Sequence, residues 1–158
     1  MNRKINERTG ERMKRIITIL LVVCMCICPM GVFAQGITVE LDGKAMEFDV
    51  PPQLINDRTM VPMRAIFEAL GAQIEWIEED QLIFATRNTK VITMQINTPS
   101  ITVVDILTDA NRKIALDVSP FLIGSRTLVP VRAVSESLDA KVDWIDETQT
   151  VVITTDAK

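Results

Sequence analysis

Pro52–Thr86, PQLINDRTMVPMRAIFEALGAQIEWIEEDQLIFAT, lies without gaps on Pro120–Thr154, PFLIGSRTLVPVRAVSESLDAKVDWIDETQTVVIT, 68 residues further along the chain. Seventeen of the 35 positions are identical, among them Arg58/Arg126, Thr59/Thr127, Val61/Val129, Pro62/Pro130, Arg64/Arg132, Glu68/Glu136 and Trp76/Trp144. A self-match of this kind marks a duplicated supersecondary unit. It fades upstream, where Phe48-Asp49-Val50 meets Leu116-Asp117-Val118. The two units span about residues 37–87 and 101–155.

Each unit reads the same way. Pro62 and Pro130 suit the first turn of a helix, where the missing amide hydrogen has no intrahelical partner. Met63, Ile66, Phe67 and Leu70 then follow at the spacing of one apolar helix face, matched by Val131, Val134 and Leu138. This predicts helices over 62–70 and 130–138. Gly71 suits the left-handed residue that closes a helix, and Asp139 replaces it in the second unit at some local cost. Before each helix a short strand (Leu54-Ile55) passes through Asn56-Asp57, or Gly124-Ser125, into Arg-Thr-x-Val-Pro. After each helix a hairpin is expected, 73–76 with 82–86 and 141–144 with 150–154. Upstream, Asp42-Gly43 is a strong tight-turn signal between 37–41 and 44–48, with Asn111-Arg112 as its poorer counterpart. Strands over 90–96 and 101–105 join the units around Asn97-Thr98-Pro99. The expected fold class is α+β, two pseudo-repeats, each with antiparallel strands packed on one short helix. One shared core and two lobes are both compatible with this pattern.

Ahead of the repeats, six Lys/Arg in the first 15 residues precede an uncharged apolar run, Ile16–Cys28, then Pro29, Gly31 and Val32-Phe33-Ala34. This is the pattern of a secretory signal peptide over residues 1–34, with cleavage before Gln35. The run is shorter than the ~20 residues that span a bilayer, which disfavours a retained anchor. No cysteine follows the small residue a lipoprotein signal needs. All three cysteines (Cys24, Cys26, Cys28) fall in this leader, and the 158-residue chain has no histidine or tyrosine. Residues 35–158 therefore lack disulfides and Cys/His metal sites, and His-based catalysis is excluded throughout. They carry 11 Lys/Arg against 19 Asp/Glu, a net of −8 where the whole chain has −4. That field opposes nucleic acid and anionic polymers.

The doubled R-T-x-V-P-x-R, the D-G-K turn and the tryptophan after each helix resemble the copper amine oxidase N-terminal-like, or stalk, domain over about residues 37–155. The resemblance implies an antiparallel sheet wrapped around helices. It further implies an exported or cell-surface protein of a Gram-positive-type bacterial envelope, and a stalk remote from any copper. Copper amine oxidation itself is excluded by residue type, because the metal is held by imidazoles and the organic cofactor is made from a tyrosine.

Arg58 with Arg64, and Arg126 with Arg132, flank the helix starts and suit a clamp for a carboxylate or phosphate. The competing reading is structural. Arg64 and Glu68, like Arg132 and Glu136, are four apart and pair for a few tenths of a kcal/mol. Arg58 and Arg126 have backbone carbonyls or Asp49 and Asp117 as partners. Trp76 and Trp144 suit sugar stacking, but their shared phase favours the core, where an indole contributes on the order of 4 to 6 kcal/mol. The acidic turns Glu78-Glu79-Asp80 and Asp146-Glu147 lack the ligand spacing of a calcium loop.

No catalytic, cofactor or metal residues are assigned. The expected function is that of a non-enzymatic exported stalk or envelope-associated binding module. Its partner would be a cell-wall component or an exported protein, without nucleic acid and without stable membrane insertion after cleavage. The alternative is an interaction or inhibitory subunit for an exported enzyme such as a wall hydrolase. A carboxylate hydrolase using Glu68 or Glu136 is the remaining reading.

Overall fold

The computed structural model describes residues 36–156; the signal-peptide assignment lies outside them. Among these residues, thirteen strands and two short helices follow the α+β class expected. The first is β1 (Thr38–Leu41), which turns at Asp42-Gly43 into β2 (Lys44–Ala45). Both turn residues have positive φ (50° and 77°), as a two-residue primed turn requires. The chain forms β2 only briefly, and residues 46–48 of the expected strand run on without regular structure.

Next come β3 (Gln53–Ile55) and β4 (Arg58–Pro62), a hairpin around Asn56-Asp57 at φ 49° and 59°. Helix α1 (Met63–Ala69) follows, then the meander β5 (Gln73–Ile77), β6 (Leu82–Arg87), β7 (Lys90–Gln95), β8 (Ser100–Asp105) and β9 (Ala110–Ala115). The second hairpin is β10 (Phe121–Ile123) with β11 (Arg126–Pro130), leading to α2 (Val131–Ser137), β12 (Ala140–Ile145) and β13 (Thr150–Thr155). Pro62 and Pro130 lie one residue ahead of the helices, with ψ of 120° and 115°, and end the strands rather than opening the first turn. Asn111 and Arg112 are not a turn. They lie inside β9, and the chain reverses over residues 106–109, where Asp109 takes φ 55° and Asp105 Oδ1 accepts the Leu107 amide at 3.0 Å. An Asp able to tolerate the left-handed region outweighs the weak Asn-Arg signal.

The strands form three sheets: β12-β13-β1-β2, β10-β11-β4-β3 and β5-β6-β7-β8-β9. β1 runs parallel to β13, Thr38 beside Thr150 and Leu41 beside Ile153, so the body is not wholly antiparallel as the resemblance implied. Parallel neighbours need a long connection, and these two lie at opposite ends of the described chain. In the second sheet β4 meets β11 with Val61 opposite Val129, Met60 opposite Pro130 and Leu128 opposite Pro62. Exchanging each residue for its 68-residue counterpart turns the Met60–Pro130 pair into Leu128–Pro62 and leaves Val61–Val129 unchanged, so a local two-fold axis passes between Val61 and Val129. Met60 and Val61 point to opposite faces, yet both are inaccessible, as are Leu128 and Val129. One contiguous core holds Val61, Ile66, Phe67 and Ile83 together with Val129, Val134, Val142 and Ile153, so residues of both units share it.

Candidate functional site

The antiparallel crossing of β4 and β11 throws the tip of each hairpin over the helix start of the other unit. The first cleft, of about 400 Å³, runs from Leu54, Asp57, Arg58 and Thr59 on the β3–β4 hairpin to Pro130, Val131 and Arg132 at the start of α2. Its far wall is Trp144 on β12, with Asp143, Asp146 and Gln149 at the rim. A second cleft, of about 370 Å³, is built from Leu122, Ser125, Arg126 and Thr127 against Pro62, Met63, Arg64, Trp76 and Glu78. Nine of its ten lining residues have their 68-residue counterparts in the first cleft.

The clefts are therefore composite, and they re-pair the arginines. Arg58 shares a cleft with Arg132, not Arg64, and Arg126 shares one with Arg64. Ion pairing is exchanged in the same sense. Arg58 Nε donates to Asp117 Oδ2 at 2.7 Å and its Nη1 to the Asp57 carbonyl at 3.1 Å. Arg126 pairs with Asp49 and donates to Ser125 Oγ at 3.2 Å. Asp49 and Asp117 are the acids expected for these arginines, each reached from the other unit. The Arg126 hydrogen bond holds the Asp49 carboxyl below the ordinary carboxylate value. On the helices Arg64–Glu68 and Arg132–Glu136 each close to 3.6 Å, and Arg132 Nη1 also donates to the Val142 carbonyl at 2.9 Å. Glu68 and Glu136 line neither cleft; Glu136 borders an adjoining cavity of about 580 Å³ that shares Arg58, Pro130 and Arg132.

The tryptophans differ. Trp76 is half-buried and packs on the core, as its periodicity suggested. Trp144 does not join the core: it is 36% exposed, and its Nε1 donates to Asp146 Oδ1 at 3.3 Å. The first cleft is lined by the shorter Val131 where the second has Met63. The sequence reading also missed Leu54 and Leu122, which are 53% and 45% exposed. Their identity in both repeats was the available signal, since a leucine on a three-residue strand reads as core by default.

An indole face, an exposed leucine and two guanidinium groups around an open cleft suit binding by stacking and hydrogen bonding. Among the described residues no group of three or more His, Cys, Asp or Glu is arranged to hold a metal ion, and no helix is long and apolar enough to cross a membrane. No curated protein matches the chain. A family model described as the copper amine oxidase N-terminal domain matches residues 40–153, most of the chain, and the chain belongs to that family.

Proposed function

We propose that this protein is a non-enzymatic, exported, envelope-associated binding module in which two pseudo-equivalent units build one body and present a pair of clefts. The family is consistent with a non-catalytic, stalk-like module. The observation that carries the binding reading is the composite cleft holding Trp144, Leu54, Arg58 and Arg132, reproduced around Trp76. A chain without histidine cannot form a histidine-assisted serine or cysteine nucleophile. The leader pattern supports export, and a cell-wall component is the partner proposed.

Co-sedimentation of the exported chain with isolated wall sacculi, from about 20 mM to about 500 mM salt, tests this. Saturable binding that survives salt is expected, because stacking and short hydrogen bonds are screened little. Loss of binding in Arg58→Ala plus Arg126→Ala, with an unchanged melting temperature, assigns the arginines to the ligand. No retention at any salt refutes the wall reading. The second reading, an interaction subunit for an exported enzyme, is favoured by the β8–β9 turn, where Ile106 and Leu107 stand 64% and 79% exposed beside the solvent-facing edge strand β9. A pull-down from exported proteins that is abolished by Leu107→Ser supports that reading instead.

A further inference from the structure

We infer that the two clefts are equivalent carbohydrate sites, each seating an N-acetylhexosamine ring of a β-linked glycan on its tryptophan, and that together they hold two strands running in opposite directions. The inference rests on the binding-module reading above and names its ligand.

Its first support is the two-fold relation. The axis between Val61 and Val129 relates the hairpin tip, helix start and tryptophan of one cleft to those of the other, and nine of the second cleft's ten lining residues have counterparts in the first. The repeat by itself reproduces the hollow, but its leucine, both its arginines and its tryptophan are identical in the two copies where Phe67/Ser135 and Gly71/Asp139 differ.

The second support is chemical. Each cleft is lined by an indole, an exposed leucine and two guanidinium groups. A pyranose has the matching two-sidedness. Its C–H face stacks on an aromatic ring, and its equatorial hydroxyls meet guanidinium and carboxylate groups at the edge. An acetamido methyl gives Leu54 or Leu122 the apolar partner that a plain hexose lacks. In the first cleft the Trp144 N–H already donates to Asp146, which restrains the ring of a side chain that stays 36% exposed. Volumes of about 400 and 370 Å³ lie at the small end of ligand sites, suited to a short stretch of glycan rather than a folded segment. A two-fold axis reverses any direction perpendicular to it, so two glycan strands laid across the axis and bound alike run antiparallel, and the protein bridges them.

The chain has two tryptophans, one in each cleft, so indole fluorescence reports the clefts alone. The exported protein and its Trp76→Phe and Trp144→Phe variants, each with one reporter left, are titrated with the β-1,4-linked tetramer of N-acetylglucosamine, with calorimetry for stoichiometry. Both reporters are expected to shift, with two tetramers bound per chain. Leu54→Asp silences the Trp144 reporter only and Leu122→Asp the Trp76 reporter only; both leucines are exposed, so the melting temperature holds. On insoluble chitin, either leucine variant loses at least about tenfold in affinity, because the second contact is intramolecular in effect. Calorimetric binding that moves neither reporter, or a single tetramer per chain, overturns the twin sites. If the tetramer does not bind while sacculi still retain the chain, the glycan assignment fails and the envelope reading stands. If sacculi release it too, both fail.

Discussion

The hairpins that follow the two helices start from matching sequence and finish in different sheets. β5–β6 continues through Asn88-Thr89 into β7, so the outer edge of β6 is covered antiparallel by the next strand. The outer edge of β13 is covered by β1, parallel, and fastened by Asp42, whose carboxylate accepts the Thr155 amide at 2.8 Å and hydroxyl at 2.7 Å. The repeated segment specifies the hairpin, and the flanking segment specifies its neighbour. A second difference lies in the helices. At the position where α1 buries Phe67, α2 buries Ser135, whose Oγ has no hydrogen-bond partner. Nearby, Ser137 donates to the Ala133 carbonyl at 2.6 Å, satisfying its own hydroxyl inside the helix. The two matching segments share a frame but carry unequal core loads.

That inequality is tested most severely at Phe67. Phe67→Ala is expected to lower the unfolding free energy by about 3–5 kcal/mol in denaturant titration, since a fully buried ring leaves a cavity behind. A loss below about 1 kcal/mol means that the two helices carry the core equally and the contrast is false.

The helix ends sharpen it at the next scale. Gly71 has φ 76°, and a Cβ there meets nothing within 4 Å, so Gly71→Ala is a pure backbone change with an expected cost of about 1–2 kcal/mol. Asp139 takes φ 62° in the same place without glycine. It pairs with Lys90, and Arg87 Nη1 donates to the Leu138 carbonyl at 2.6 Å, so the β6–β7 hairpin caps the end of α2 with two cations. Asp139→Gly is accordingly expected to stay within about 1 kcal/mol of the parent in thermal unfolding, backbone relief offsetting the lost pair. A loss as large as that of Gly71→Ala shows that the Lys90 contact, not the backbone, governs this end.

The helices and post-helix hairpins were legible because their signals are local: apolar residues every three to four positions, then alternation across acidic turns. The β8–β9 turn was misread because matching to the first repeat drew Asn111-Arg112 onto Asp42-Gly43, and the polar run Asn111-Arg112-Lys113 on the exposed strand β9 has no alternation to mark it as a strand. The β1–β13 pairing carries no local signal at all. Nor do the clefts, since they come into being only when β4 meets β11 at Val61–Val129. Arg58, Arg64, Arg126, Arg132, Trp76 and Trp144 were legible as repeated positions, but their grouping was not. Trp144 shows the limit of phase arguments: the same repeat position is half-buried in one unit and exposed in the other.

Ser135 offers a smaller test. Ser135→Ala removes an unpartnered buried hydroxyl, so unfolding free energy is expected to rise by up to about 1 kcal/mol. A loss of similar size reveals a hydrogen bond to this hydroxyl in solution.

The least effect is expected from the exchanged ion pairs, where Arg58 and Arg126 stay roughly half exposed and salt screens the contact. Their role is legible through pH. Asp49 has a carboxyl pKa lowered in the folded state chiefly by the Arg126 hydrogen bond, so its contribution is fully present above the ordinary value of 3.8 and is lost as pH falls through the lowered folded value. Asp42, lowered by its bonds to Thr155, adds in the same direction and the same window. Stability should therefore fall on acidification below about 3.8 in both the parent and Arg126→Ala, with a shallower slope in the variant. Carboxyl-resolved NMR titration supplies the direct check: in Arg126→Ala the Asp49 resonance should titrate at higher pH than in the parent, while that of Asp42 is unmoved. If the Asp49 titration does not move, Arg126 is not its partner in solution, and the exchange of arginines between the units fails at that position.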